Sequence, residues 1–286
     1  MDINWRTQLY CLIGKPVSKS LSPIIHNNVF KELKEEKAYL AFPIEKENLK
    51  TTINGFKSMD IQGFNVTIPY KKEIIHYLDD LSKEAKIIGA VNTVKNENGK
   101  LIGYNTDGSG FIKTFYDNEI EVKSKNILLL GSGGAAYGIA MSLVEEKVNK
   151  IYISNRNLDN AKVLQNKINL VDKNILTKVG SLSLDNIDKK EIDIIINTTS
   201  IGMYPMEKVS PIELNGFSED VIIYDIVYKP TDTKLIKDGL KKGYKTFRGM
   251  SMLLNQAILS QEIWLNKKID LKIIKKIEGV LLTYIE

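Results

Sequence analysis

The stretch Lys125-Asn126-Ile127-Leu128-Leu129-Leu130-Gly131-Ser132-Gly133-Gly134-Ala135-Ala136 sets an apolar run of strand length against a Gly-x-Gly-x-x-Ala turn and passes straight into a helical pattern. That succession opens a dinucleotide fold. Gly131 permits the tight turn, Gly133 lets the backbone approach a pyrophosphate, and Ala136 is small enough for the helix to pack close to the strand. Phosphates would rest on the N–H groups of a helix N-terminus, at its positive dipole end. Glycine-rich strand-to-helix turns also arise for purely structural reasons, so the pattern alone leaves both readings open. Its position says more: such a unit usually begins a domain, and 124 residues precede Lys125 here.

Working outward, a chain of 286 residues has room for two domains, each with its own core. A composition of 43% hydrophobic and 26% charged residues is that of a soluble globular protein. No apolar run approaches the roughly 18 residues of a membrane span, and Leu9 to Ile13 after Asp2 makes no signal peptide, so a cytoplasmic location is expected. Cys11 is the single cysteine and His26 and His76 are the only histidines, which excludes an internal disulfide and a Cys/His zinc site. No metal is expected, and any redox chemistry must come from a cofactor. The net charge of +5 comes from dispersed lysines, with only Arg6, Arg156 and Arg248 as arginines. No basic block resembles a nucleic-acid arm, so no nucleic-acid or membrane partner is expected, and a solvated lysine-rich surface with a mild attraction for anionic ligands is all that the charge implies.

Residues 1–107 alternate strand and helix signals: strands at Leu9–Ile13, Tyr39–Phe42 and Gly63–Thr67, helices at Ser22–Lys34 and Lys46–Met59, and a helical period over Lys71–Ile88. A hairpin of Ala90–Lys95 and Leu101–Tyr104 turns about Glu97-Asn98-Gly99, and Asp107-Gly108 breaks the pattern. Gly110–Asn118 reads as a connecting helix. Half-units then run from strand 126–130 through a helix from 134, strand Ile151–Ser154 and helix Asp159–Lys167 to strands at Asp193–Asn197, Val221–Asp225 and Lys245–Phe247. The tail, Met252–Trp264 and Leu271–Tyr284, is helical in period. The expected fold class is α/β: an N-terminal α/β domain, residues 1–107 joined by helices 250–286, and a Rossmann-type domain, 108–249, with a small-molecule site in the cleft between them.

A carboxylate at the end of the second strand commonly holds the ribose 2′-hydroxyl of NAD. Here that strand ends Ile153-Ser154-Asn155-Arg156, with a guanidinium where the acid would stand. Arginine pairs bidentately with a 2′-phosphate and stacks on adenine, so NADP is favoured over NAD.

Two loops carry candidate proton-transfer groups. Gly63-Phe64-Asn65-Val66-Thr67-Ile68-Pro69-Tyr70-Lys71 presents Lys71 at an expected helix start, where the dipole disfavours a cation, and Gly103-Tyr104-Asn105-Thr106-Asp107-Gly108 ends a strand with an amide, a hydroxyl and a carboxylate. Taken singly, Asp107 reads better as a helix N-cap and Lys71 as a solvated helix residue. Their company decides. With Ser20-Leu21-Ser22-Pro23 and His26-Asn27, Asn65-Val66-Thr67-Ile68-Pro69 and Lys71, Gly89-Ala90-Val91-Asn92-Thr93, Asn105-Thr106-Asp107-Gly108, the glycine loop, Asn155-Arg156, Asn197-Thr198-Thr199-Ser200-Ile201-Gly202-Met203, Asp225-Ile226-Val227-Tyr228, and Gly249 with Met252-Leu253 and Gln256-Ala257, the chain closely resembles the shikimate dehydrogenase family from about Tyr10 to Ala257.

The resemblance implies reduction of 3-dehydroshikimate to shikimate with NADPH in aromatic biosynthesis, by a monomer or homodimer. By it Lys71 and Asp107 form the catalytic pair. Ser20, Ser22 and Tyr228 bind the substrate carboxylate, and Asn65, Thr67, Asn92 and Gln256 surround the polyhydroxylated ring. Gly131, Ser132, Gly133, Gly134, Ala135, Asn155, Arg156, Thr198, Ile226, Gly249 and Met252 match the cofactor positions. From the residues themselves, Ser22 before Pro23 is also a good N-cap, Asn65 an ordinary turn amide, and Met252 an ordinary core methionine. Two departures stand out: Asn157 and Asn160 replace the hydroxyl and second basic residue common in the phosphate clamp, and Lys19 stands where a histidine commonly precedes the first serine. A broader quinate/shikimate dehydrogenase using NAD or NADP is the alternative enzyme reading. A non-catalytic nucleotide sensor is a third, against which the intact Lys71 and Asp107 argue.

Overall fold

The apolar runs assemble into two six-stranded sheets. The computed structural model describes residues 3–285, and these divide into two units, one reaching to Thr106 and regaining the chain at Leu254–Tyr284, the other spanning Asp107–Leu253.

The first unit begins with β1 (Gln8–Gly14), α1 (Ser22–Leu33), β2 (Lys37–Pro43), α2 (Leu49–Ser58, entered through a 3-10 turn) and β3 (Gly63–Val66). The strands β4 (Asp80–Leu81), β5 (Thr93–Glu97) and β6 (Lys100–Tyr104), with α3 (Lys83–Ile88), complete a sheet of order β2-β1-β3-β5-β6-β4. Strands β1, β2 and β3 are parallel, while β5 is antiparallel to β3 and β6. The hairpin turns where expected: Asn98 and Gly99 both take positive φ, at 55° and 88°, matching the turn that suits the sheet's twist. Tyr10, Phe30, Tyr39 and Trp264 pack together beneath the sheet, and the Trp264 indole N–H donates to the Val94 carbonyl at 2.9 Å.

The helical period over Lys71–Ile88 does not make one helix. A 3-10 turn at Glu73–Tyr77 ends where Leu78 becomes extended. Asp79 then exchanges hydrogen bonds with Leu101, its N–H donating to the carbonyl at 2.9 Å and its carboxylate accepting the N–H at 2.7 Å, which draws Asp80–Leu81 to the sheet beside β6. Ser82 caps a fresh helix by accepting the Ala85 N–H at 3.1 Å. Apolar spacing is blind to this competition, because the 3-10 turn and α3 bury the same side of the segment that a continuous helix would. The dipole argument at Lys71 lapses with it, since no α-helix begins there.

The second unit comprises α4 (Asp107–Tyr116), β7 (Asn126–Leu130), α5 (Gly134–Glu145), β8 (Lys150–Ser154), α6 (Leu158–Val171), β9 (Leu176–Gly180), β10 (Ile194–Asn197), β11 (Ile222–Asp225), α7 (Lys234–Lys241) and β12 (Lys245–Arg248). Helix α8 (Gly249–Leu265) starts in this unit and continues into the first, where α9 (Leu271–Ile285) follows. Its sheet is wholly parallel in the order β12-β11-β10-β7-β8-β9, the doubly wound arrangement. Ile127, Leu128, Leu129 and Leu130 are all fully buried, as a central strand covered on both faces requires, and contribute on the order of 1.5–3 kcal/mol each. Strand β9 is absent from the sequence-based expectation. Its Leu-Thr-Lys-Val-Gly sequence lies at the sheet edge, half exposed and without a continuous apolar run. Nor does Asp107-Gly108 break the chain: Gly108 lies inside α4, where an added Cβ would come within 2.0 Å of Ser142 Oγ and 2.5 Å of the Gly138 carbonyl. The glycine serves close packing of α4 on α5.

Candidate active site

In the first unit, backbone bonds join the ends of β1 and β3 and the start of β5, where Thr67, Lys71 and Asn92 stand. Gly14 ends β1 against Thr67, whose Cγ2 would lie 2.2 Å from a Cβ at that position, so only glycine admits the approach. The Thr67 N–H donates to the Ile13 carbonyl at 2.9 Å. Two further backbone bonds join the Thr67–Lys71 loop to the segment before β5: Val66 N–H to the Asn92 carbonyl at 2.9 Å and Val91 N–H to the Lys71 carbonyl at 2.7 Å. Lys71 is half-buried.

Asn92 is nearly enclosed. Its Oδ1 accepts the Thr106 N–H and the Thr93 hydroxyl, each at 2.9 Å, and its amino group donates to Thr106 Oγ1 at 3.0 Å. Its side-chain oxygen is thus committed to protein donors. Thr106 Oγ1 in turn donates to the Gln256 carbonyl at 3.0 Å, so Asn92 and Gln256 are held by one hydroxyl.

Asn65 is held from both ends of its side chain. Its amino group donates to the Asn92 carbonyl, Thr93 Oγ1 and Ser260 Oγ at 3.0–3.1 Å, and its Oδ1 accepts the Tyr39 hydroxyl at 2.8 Å. At 6% exposure, both ends of its amide are engaged by protein partners.

At the head of α1, the Ser20 hydroxyl donates to Ser22 Oγ at 3.1 Å and accepts the Ser22 N–H at 3.2 Å. Ser22 is the first helical residue, and the N-cap position falls to Leu21, which makes no side-chain cap. The two serines therefore cluster at a helix N-terminus without capping it, an arrangement suited to a carboxylate. Behind them His26 stacks on Tyr39 at 4.2 Å and its Nδ1 accepts from the Gln261 amide at 3.0 Å. Burial, only partly opposed by the Asn65 side chain, pushes its pKa down to about 3, so the ring stays neutral in the core. Burial also raises the pKa of the Cys11 thiol.

In the second unit, Gly131 has φ of 103° and faces Thr198, whose Oγ1 would lie 2.6 Å from a Cβ there. Thr198 anchors itself to the Leu130 carbonyl through its N–H at 2.8 Å and its hydroxyl at 2.7 Å. Gly133 is the N-cap of α5, and a Cβ at Gly133 or Gly134 would meet nothing within 4 Å. The polypeptide itself does not need those two glycines. They clear space over first-turn N–H groups with no acidic side chain among them, which fits a dinucleotide pyrophosphate. Ser132 and Ala135 are half-buried beside them.

Asn155 and Arg156 leave the end of β8, with Arg156 exposed. Asn155 donates to the Asn157 carbonyl at 2.7 Å, while the Asn157 side chain accepts the Asp159 and Asn160 N–H groups at 3.0 and 3.2 Å, serving as the N-cap of α6. The departure at Asn157 thus has a structural occupation.

The loops after β10 and β11 hang on a buried pair. Asn197 donates to Asp225 Oδ1 at 3.0 Å and to the Ile201 carbonyl at 3.1 Å, and Asp225 also accepts the Val227 N–H at 3.0 Å and the Thr233 hydroxyl at 2.7 Å. Burial pushes the Asp225 carboxyl up to about 6 despite those three donors. This pair fixes the path of Ile226 and Tyr228, and burial raises the Tyr228 phenol, which keeps it a neutral donor. Gly249 closes on the same loop: an added Cβ would lie 2.0 Å from the Ile226 carbonyl oxygen. Met252 is buried one turn further along α8.

Tyr39, Thr93, Ser260, Asp225 and Thr233 gain their roles from the structure and not from the sequence reading. For Ser260 the available signal is its spacing, one helical turn beyond Gln256.

Residues 12–94 match the family described as the shikimate dehydrogenase substrate binding domain, and residues 115–228 match the family shikimate/quinate 5-dehydrogenase. A curated relative from Methanococcus maripaludis strain C6, named shikimate dehydrogenase (NADP(+)), is 45% identical over 96% of this chain and 97% of its own length. The crystal structure of shikimate 5-dehydrogenase from Listeria monocytogenes, in complex with shikimate and NAD, superposes with a TM-score of 0.92 at 33% identity, covering 98% of both chains. That of the Thermus thermophilus enzyme with NADP(H) and shikimate gives 0.84 at 29% identity, covering 95% and 98%. With family models matching residues 12–94 and 115–228 and a curated relative 45% identical over nearly its whole length, the chain belongs to the shikimate dehydrogenase family.

Proposed function

We propose that the protein catalyses the reversible NADPH-dependent reduction of 3-dehydroshikimate to shikimate. The observation that carries this reading is the pair of backbone bonds, Val66 to Asn92 and Val91 to Lys71, that ties an amide and a lysine to one end of the central strands β3 and β5. A carbonyl on a polyhydroxylated ring needs both, a donor to fix a neighbouring hydroxyl and a proton source for the oxygen.

When bound, NADPH supplies the hydride. Lys71 delivers the proton to the ring oxygen, with Asp107, the first residue of α4, as its partner in proton handling. Ser20, Ser22 and Tyr228 hold the substrate carboxylate, and Thr67, Asn92 and Gln256 orient the ring hydroxyls. Gly131, Ser132, Gly133, Gly134 and Ala135 hold the pyrophosphate, Asn155 and Arg156 the adenosine end, and Thr198, Ile226, Gly249 and Met252 the nicotinamide end. We place the enzyme in the cytoplasm, as a monomer or homodimer.

The test follows NADPH and NADH absorbance with 3-dehydroshikimate, then oxidation of shikimate and of quinate with each nucleotide. Turnover of 3-dehydroshikimate with NADPH is expected, and Lys71→Ala should lose on the order of a hundred- to ten-thousand-fold in kcat. A Lys71→Ala enzyme within a few-fold of wild type would refute the assignment. A broader quinate/shikimate dehydrogenase is the second reading. It is favoured by Asn157 and Asn160, which leave Arg156 without a second cation at the 2′-phosphate, and equal turnover with both nucleotides would select it.

A further inference from the structure

Ser260 is fully buried on α8, one turn beyond Gln256. Its hydroxyl oxygen lies 2.9 Å from the Gln256 carbonyl, a common contact of helical serines with no functional content of its own. Three other partners reach the same oxygen from outside the helix: Thr93 Oγ1 of β5 at 2.7 Å, the Asn65 amino group of β3 at 3.1 Å, and Thr106 Oγ1 at 3.4 Å. The donors and acceptors are mutually consistent. Thr93 gives its proton to Asn92 Oδ1 at 2.9 Å and Thr106 gives its own to the Gln256 carbonyl at 3.0 Å, so Ser260 donates to Thr93 and accepts from Asn65. Tyr39, through Asn65 Oδ1, closes the far end at 2.8 Å.

We propose that Ser260 is a positioning residue for the substrate ring: by donating to Thr93 its hydroxyl ties Asn92 to α8, which carries Gln256 one turn earlier, so that the two amides keep one relative orientation. Asn65 and Tyr39 act in the same network from behind, touching no ligand. A fully connected buried network of this kind holds a binding amide far more narrowly than side-chain packing does. The inference rests on the proposed function, because it takes Asn92 and Gln256 to be ring contacts.

The experiment measures KM for shikimate, KM for NADP and kcat for wild type, Ser260→Ala and Tyr39→Phe, with thermal melting of each. In Ser260→Ala, the KM for shikimate should rise on the order of tenfold, the effect of one buried hydrogen bond lost, while KM for NADP stays at its wild-type value. A merely structural role would shift both KM values or neither. Should Ser260→Ala fail to fold, Tyr39→Phe carries the test, with the same split at about threefold because it loosens Asn92 only through Asn65. Unchanged KM for shikimate in a folded variant, or parallel rises in both KM values, overturns the inference while leaving the proposed function standing. A wild type inactive with every substrate and nucleotide removes the proposed function and this inference with it.

Discussion

Replacing Asp225 with asparagine should flatten one component of the protein's stability against pH. The Asp225 carboxyl is fully buried, and burial raises its pKa from the ordinary 3.8 to about 6. At about 1.36 kcal/mol per pKa unit, ionising it in the folded protein costs roughly 3 kcal/mol. Because the folded pKa lies above the unfolded one, this component of stability is fully present below pH 3.8 and is lost as pH rises through 6. Between about pH 5 and pH 7.5 the wild type should lose roughly 1.4 kcal/mol relative to Asp225→Asn, the remainder having gone at lower pH. The variant keeps the carbonyl that receives Asn197 and Val227 and turns an amino group toward Thr233, whose hydroxyl can accept instead of donate. Urea unfolding of both proteins across that interval measures the difference. A gap between them that stays constant within about 0.5 kcal/mol would mean that Asp225 does not titrate near 6.

Gly249→Ala should raise KM for NADPH and cost about 1–3 kcal/mol of stability, because its Cβ would press on the immovable Ile226 carbonyl rather than on a pliable side chain. Steady-state kinetics with a melting curve checks it, and unchanged values would mean the loop shifts freely. Asn160→Lys supplies the second cation beside Arg156 and should improve preference for NADPH over NADH by about two- to fivefold, the effect of an exposed ion pair, and the gain should shrink at about 1 M salt. A gain equal for both nucleotides would place residue 160 away from the 2′-phosphate.

The pattern of apolar runs and turn residues was enough to locate the glycine loop, both sheets' principal strands and the hairpin at Asn98-Gly99, since each depends on neighbours a few residues apart. The joint order of short motifs was enough for the family, and so for Lys71, Asp107 and the serine pair as candidates. Competition for hydrogen bonds was not legible. Leu101 draws Asp79 out of a helical period, Gly108 serves helix packing where a break was expected, and Asn157 caps α6 where a phosphate contact commonly stands. The same limit hid the division of labour among the amides. Asn65 and Asn92 are equivalent in sequence as polar residues near strand ends. Only the tertiary structure turns Asn65 to Tyr39, Thr93 and Ser260, while it fills Asn92 Oδ1 with the Thr106 N–H and the Thr93 hydroxyl. The reason is physical: whether a polar group faces a ligand or the core depends on which partners reach it from distant segments, and Ser260 lies 195 residues from Asn65 along the chain.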